Sequence, residues 1–200
     1  TTWENLEVQQ KINETTKHRC VGLSLETRPD LITKKEVIRM RKLGCTKVQV
    51  GIQTLDNRLL KLNQRGHSVK DTKKAFEFLR LAGFKIQAHW MVNLYGSTPK
   101  KDRKDFKKLW GKNFRPDELK IYPTAIIENT ELCELYKKGK YKSYSEEELI
   151  KLIADLKLQV PEFCRITRII RDIPAQNIVA GNKKSNLRQI IQEYLEKEGK

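Results

Sequence analysis

The stretch VQVGIQTLDNRLLKLNQRGH, residues 48–67, brings several kinds of polar side chain to the end of a strand-like run. Side chains alternate across a strand, so Val48, Val50 and Ile52 share one face while Gln49, Gly51 and Gln53 share the other. A short helical segment follows, and the chain then delivers Arg65, Gly66 and His67. An amide both donates and accepts hydrogen bonds, and a guanidinium pairs with a carboxylate, so Gln53 and Arg65 together have the chemistry to hold a polar ligand. Gly51, with no side chain, is expected to let that ligand approach the strand. Other strand-like runs divide in the same way. Val21, Leu23 and Leu25 oppose Gly22, Ser24 and Glu26; Ile86, Ala88 and Trp90 oppose Gln87 and His89; Leu119, Ile121 and Pro123 oppose Lys120, Tyr122 and Thr124. Glu26, His89, Lys120 and Tyr122 thus become candidates for one polar surface.

The elements that would position these groups alternate along the chain. Helices are expected at 3–17, 33–43, 56–63, 68–82, 99–111, 130–138, 145–159 and 185–197, and strands at 20–26, 46–53, 85–92, 118–124 and 164–170. Thr33 with Glu36, Ser145 with Glu148 and, more weakly, Ser68 with Asp71 have capping-box spacing, while Gly44 and Gly83 are stop signals. Strands separated by helices indicate parallel βαβ units and an α/β class. A doubly wound sheet wants strands apolar on both faces. Polar-faced strands instead fit a TIM-like barrel that turns its polar face toward a ligand at the strands' carboxyl ends. Five strands are too few to close such a barrel, so a partial one is expected.

Among the 200 residues the balance of charge is +16, which favours a polyanionic partner, RNA or DNA ahead of membrane. A lysine-rich solvated surface is the plainer reading of the same charge. Residues 100–115 carry eight basic and two acidic side chains, with Phe106, Trp110 and Phe114 at a spacing that suits a buried helix face better than a base-stacking platform. A second tract comprises Arg165, Arg168, Arg171, Lys183, Lys184 and Arg188. Cys20, Cys45, Cys133 and Cys164 stand singly, with no metal-ligand spacing, and read as small buried residues. No run approaches the ~18 apolar residues of a membrane span, and the first residues have no signal-peptide pattern, so a cytoplasmic location is expected.

Five segments, KHRCVGLSLETRPD, VQVGIQTLDNRLLKLNQRGH, GFKIQAHWMVNLYGSTPKKD, LKIYPTAIIENTELCELYKKGKY and RIIRDIPAQNIVAGNKKSNLRQ, carry a wider pattern. In this order, over roughly residues 14–190, they resemble the radical S-adenosylmethionine (SAM) region of the catalytic subunit of Elongator, the archaeal form in particular. The resemblance implies an enzyme that modifies carbon 5 of the wobble uridine of tRNA. It implies SAM, a 4Fe–4S cluster that cleaves it to a 5′-deoxyadenosyl radical, and acetyl-CoA bound by an acetyltransferase domain. In that family the cluster cysteines lie upstream of the matched region and the acetyltransferase domain downstream. Residues 1–200 therefore read as a radical SAM core fragment that is inactive alone, with tRNA, the remaining parts of the protein and other Elongator-like subunits as partners. At Val92 and Tyr95 the family more often has prolines, so that loop is expected to differ.

By position, the resemblance implies that Glu26, Gln53, Arg65 and His89 bind SAM. Each has a structural alternative: Glu26 as a salt bridge to Arg28, Gln53 as a helix-cap partner, Arg65 as an exposed ion pair in an exposed turn, and His89 as a satisfied core histidine. Lys120 and Tyr122 are candidates to meet the acetyl group, the uridine or the SAM carboxylate, or else to bridge to Glu26 or another inward carboxylate. The second basic tract is the preferred tRNA surface, against solvated charge. The competing functional classes are a non-catalytic tRNA- or RNA-binding fragment and an unrelated barrel enzyme such as an isomerase or aldolase.

Overall fold

The computed structural model describes residues 2–169 and 173–200. Helices α1 (Trp3–Thr15), α2 (Lys34–Lys42), α3 (Asn57–Leu62), α4 (Val69–Leu81), α5 (Pro99–Lys108), α6 (Glu131–Lys137), α7 (Glu146–Lys157) and α8 (Leu187–Lys197) alternate with strands. The strands are β1 (Ser24–Thr27), β2 (Lys47–Gln53), β3 (Lys85–Val92), β4 (Glu118–Pro123), β5 (Ile126–Ile127), β6 (Arg165–Ile169) and β7 (Ile178–Ala180). Five of them form one parallel sheet in the order β1-β2-β3-β4-β6, and β5 pairs antiparallel with β7 beside it. Spatial order follows chain order without the reversal that marks a doubly wound sheet. The result is an α/β fold, a partial TIM-like barrel wall of parallel strands with outer helices, open at β1 and β6.

Alternation within the strands sets the two faces. Val48, Val50 and Ile52 of β2, Ile86, Ala88 and Trp90 of β3, and Leu119 and Ile121 of β4 are buried together with the apolar stripes of α4, α5, α7 and α8. The helices meet them with residues at helical spacing: Thr72, Phe76 and Leu79 on α4, and Leu149, Leu152, Ile153 and Leu156 on α7. Both of these helices begin with a complete capping box, Ser68 with Asp71 and Ser145 with Glu148. Gly44 and Gly83 follow α2 and α4 in the left-handed conformation, at φ +81° and +71°. The apolar face is thus a continuous core, and polar side chains are left to the other face.

Two features of the elements depart from expectation. The first strand starts at Ser24 instead of residue 20, and Val21 is 84% exposed. It is an edge strand whose ladder to β2 begins only at Ser24 opposite Lys47, and the preceding chain is tied by Asn13 to Cys20 instead. The β5–β7 pair was not expected; its strands are too short for period-2 patterning to reveal. The sixth strand ends at Ile169 within the described residues.

Phe106 fixes α5 to the sheet. It is fully buried, edge-on to Trp90 of β3 at 5.3 Å between ring centroids and to Trp110 at 5.4 Å. Truncating such a residue costs about 3–5 kcal/mol through lost burial and a residual cavity. Phe106→Ala should therefore lower unfolding free energy in urea by about that amount. Val21→Ser should stay within about 0.5 kcal/mol, as for an ordinary surface position.

Candidate binding site at the strand ends

A cavity of about 580 Å3 opens at the carboxyl ends of the strands. Glu26, Gln53, Arg65, His89 and Tyr122 all line it, so five of the six residues singled out for cofactor binding or catalysis converge on one space. Its opposite wall is apolar, made by Met91, Leu94, Tyr95, Ile127, Leu132 and Leu135. Met91 comes from β3, Leu94 and Tyr95 from the loop after it, Ile127 from β5, and Leu132 and Leu135 from α6, which packs with the β5–β7 pair around a small core of Ile126, Cys133 and Tyr141. Across the mouth, Gln64 Nε2 donates to Glu131 Oε2 at 2.5 Å, joining the turn after α3 to the start of α6.

Gln53 ends β2 in an unusual conformation. Its φ is +64°, and Thr54 N donates to Ile52 O at 2.8 Å, so Gln53 is the central residue of a three-residue turn of the strained hand. Its side chain folds back over Gly51. A Cβ at position 51 would lie 3.1 Å from Gln53 Nε2 and 3.5 Å from an Arg65 guanidinium nitrogen. The expectation that Gly51 makes room for a ligand is therefore corrected: Gly51 makes room for the two side chains that face the ligand space. In the Arg65-Gly66-His67 turn, expected to be exposed, only Gly66 is. Arg65 is half-buried and reaches back to Gly51 O at 3.4 Å, and His67 is buried with Nε2 3.3 Å from Ile52 O. Burial, with the nearby Arg28 guanidinium, lowers the Arg65 pKa, but a guanidinium starts high enough to stay charged. Burial likewise lowers the His67 pKa and keeps its imidazole neutral near pH 7.

The polar face below the cavity is cross-linked. Glu26 Oε1 lies 3.5 Å from His89 Nδ1, and His89 Nε2 lies 3.2 Å from Gln49 Oε1. Lys120 Nζ donates to the same Gln49 oxygen at 2.5 Å. The structural alternative for Glu26, a bridge to Arg28, does not form; Arg28 pairs with Asp30 at 2.7 Å. Lys120 bonds an amide where a carboxylate was considered, and does not line the cavity although it pairs in register with His89, which does. Tyr122 lies on the lining, edge-on to His89. Deeper still, Glu118 accepts from Lys47 at 2.9 Å and Gln87 at 2.7 Å.

The second basic tract is described at five of its six residues. A bulge shifts the β4–β6 register so that Arg168 pairs with Lys120 and joins the inner face. Arg165, Arg168, Lys183, Lys184 and Arg188 are all exposed, Lys184 in an ion pair with Glu146, and Arg171 lies outside the described residues. Cys45, Cys133 and Cys164 are buried as expected, but Cys20 is exposed. Burial pushes the Cys164 thiol up to about 12, so it is no poised nucleophile.

Sequence reasoning missed two buried carboxylates inside the basic run of α5. Asp105 accepts from Thr54 Oγ1 and from Leu55 N at 2.9 Å. Asp102 accepts from Asn93 N at 3.0 Å, Tyr144 Oη at 2.9 Å and Ser97 Oγ. Burial raises the Asp102 pKa against the opposing pull of those donors. Their spacing to a preceding strand end is not a recognisable motif, and only the unexplained aspartates among lysines were available as a signal.

A family model described as the Radical SAM superfamily matches residues 5–109, and one described as the Radical SAM C-terminal domain matches residues 116–197. The chain belongs to the radical SAM superfamily. This radical SAM chain is 49% identical to the tRNA uridine(34) acetyltransferase of Methanocaldococcus infernus over 98% of its own length and 37% of that protein's. It is 36% identical to Elongator complex protein 3 of Homo sapiens, over 94% of this chain and 35% of that one. Its structure is similar to archaeal M. infernus Elp3 with an N-terminal deletion (1-46), with TM-score 0.92 at 49% identity, over 96% of this chain and 46% of the other. Coproporphyrinogen III oxidase (HemN) of Escherichia coli, 16% identical with TM-score 0.55 over 80% of this chain and 38% of that one, shares the fold. The chain thus spans little more than a third of the curated relatives it matches.

The cavity of this radical SAM chain fits SAM. Gln53 Oε1 and Arg65 Nε are buried polar atoms with no hydrogen-bond partner among the described residues, beside an exposed Glu26 carboxylate and an apolar wall. Among the described residues no three His, Cys, Asp or Glu side chains come together to hold a metal, so these residues do not fit a 4Fe–4S cluster.

The turn at Gln53 makes a prediction independent of any ligand. A non-glycine residue at positive φ costs about 1–2 kcal/mol, and glycine removes most of that at the expense of unfolded-state entropy. Gln53→Gly should raise stability by about 1 kcal/mol, read as a higher melting temperature. A fall would show that the turn is unstrained.

Proposed function

We propose that this chain is the SAM-binding core segment of a tRNA-modifying radical SAM enzyme that uses acetyl-CoA to modify carbon 5 of the wobble uridine, in the cytoplasm. The observation that carries this reading is the convergence of Glu26, Gln53, Arg65, His89 and Tyr122 on one cavity, with buried polar atoms of Gln53 and Arg65 unpartnered among the described residues. Similarity to a tRNA uridine(34) acetyltransferase over nearly the whole chain supports the choice of substrate. When bound, SAM supplies one-electron, hydrogen-abstracting chemistry. Arg65 would pair with its carboxylate, Gln53 would donate and accept beside it, and Glu26 would accept from ribose hydroxyls. His89, placed between Glu26 and Gln49, orients the carboxylate and walls off water. Tyr122 Oη and Lys120 Nζ are the groups we assign to the reacting acyl or uridine moiety.

On this reading residues 1–200 form the radical SAM core of a longer enzyme. The cluster ligands and the acetyl-CoA domain come from other parts of it, Elongator-like subunits are further partners, and the segment is inactive alone. The exposed Arg165, Lys183, Lys184 and Arg188, with the lysines of α5, are the groups we assign to tRNA phosphates; Arg168 contributes from the inner face, and Arg171 completes the assigned tract. The +16 charge also favours a second reading, a non-catalytic RNA-binding fragment.

Two measurements separate these readings. In the longer, cluster-loaded protein, Gln53→Ala and Arg65→Ala should each weaken SAM binding by about 1–3 kcal/mol by calorimetry, with melting little changed. Intact affinity in both variants would refute the cofactor assignment. Charge reversal at Arg165, Lys183, Lys184 and Arg188 should flatten the salt dependence of tRNA binding by about one log unit for each phosphate that is no longer neutralised. An unchanged slope would return these residues to solvated charge.

A further inference from the structure

Gln53 is held at its positive φ from both sides by buried groups that belong to other elements. On one flank Ile52 O accepts from Thr54 N and faces His67 Nε2 at 3.3 Å. On the other, Asp105 Oδ2 accepts from both Thr54 Oγ1 and Leu55 N, while Lys108 Nζ bonds Asp105 Oδ1 at 2.9 Å and Leu55 O at 3.3 Å. Thr54 is 2% exposed and Asp105 4%. A strained turn persists only where its surroundings over-determine it, and such turns concentrate at functional sites. The same helix repeats the arrangement one strand away. Asn93, after β3, also has φ +64°, and its backbone N–H is held by Asp102, three residues before Asp105 on α5.

We infer that Asp105 is a positioning residue: acting through Thr54, it locks the Gln53 turn so that the Gln53 amide and the Arg65 guanidinium stacked over Gly51 face the cavity. Asp105 itself does not line the cavity and touches no bound molecule. A carboxylate suits this task better than an amide. Both its acceptors can be charge-assisted, and a single oxygen can take an O–H and an N–H together. An asparagine keeps the volume but loses the charge and presents donors where Lys108 also donates. Without the clamp, Gln53 would relax toward extended backbone and carry its amide away from Arg65.

This inference rests on the reading that Gln53 binds SAM, and its test separates the two. In the cluster-loaded longer protein, SAM binding is titrated for Gln53→Ala, Asp105→Asn and the double variant, beside melting and amide exchange at Leu55. Asp105→Asn should weaken SAM binding by about tenfold and speed Leu55 exchange. Adding Gln53→Ala to it should then cost less than about twofold more, because the two act through one interaction. Thr54→Val should weaken binding similarly, and Thr54→Ser, which retains the hydroxyl, should restore most of it. These Thr54 variants carry the test if Asp105→Asn does not fold. Additive losses, or faster Leu55 exchange with unchanged SAM affinity, would overturn the positioning role and leave Asp105 structural. If Gln53→Ala alone binds SAM normally, the Gln53 assignment falls and the inference falls with it.

Discussion

Two carboxylates on the inward side of a strongly basic helix hold the carboxyl ends of β2 and β3. Burying a carboxylate is costly unless its oxygens are fully used, and Asp102 and Asp105 each meet that condition with backbone N–H and hydroxyl donors from the loops they secure. The cost of desolvation and the ordering of the loops are therefore one event. α5 can bring the aspartates there only because Phe106, fully buried between Trp90 and Trp110, seats the helix on the sheet. The cavity is thus shaped from behind, by a helix that contributes nothing to its lining.

The inner face of the sheet follows a different rule. Gln49, Gln87, His89, Glu118 and Lys120 are too numerous to bury as isolated polar groups, and they survive because each bonds another across neighbouring strands. Gln49 takes both His89 and Lys120 on one oxygen. Such a network resists local rearrangement, since moving one member leaves another unsatisfied in a low-dielectric interior. Above it the bonding stops, and Gln53 and Arg65 offer polar atoms that no described residue occupies.

Periodic features of the fold were legible in the sequence because they are local. The alternation of β2, β3 and β4, the helical stripes of α4 and α7 and their caps depend on neighbours a few residues apart, and Glu26, Gln53, His89 and Tyr122 followed from strand parity. What stayed hidden depends on distant partners. The start of β1 is set by where β2 offers a ladder, and the β5–β7 pair joins segments some fifty residues apart. Burial of Asp102 and Asp105 is invisible in a run dominated by lysine. The positive φ of Gln53 carries no glycine to announce it, and Gly51 looked like space for a ligand when it is space for Gln53 and Arg65. The bulge that turns Arg168 inward is likewise a property of two strands together.

The hydrogen bond from Gln64 to Glu131 gives the cavity walls very unequal stiffness. It is the side-chain bond spanning the mouth, it is exposed, and a bond of that kind contributes on the order of 1 kcal/mol. The α6 side is also joined through a small core of Ile126, Cys133 and Tyr141, with Tyr141 Oη donating to Asn93 O at 2.7 Å, while the β2 side is anchored to the main core and to α5. Breaking one exposed bond and a small core costs less than disturbing the main core, so the α6 side is the cheaper one to open. Opening on that side would leave the polar groups in place, because Gln53 ends β2 and Arg65 reaches back to Gly51.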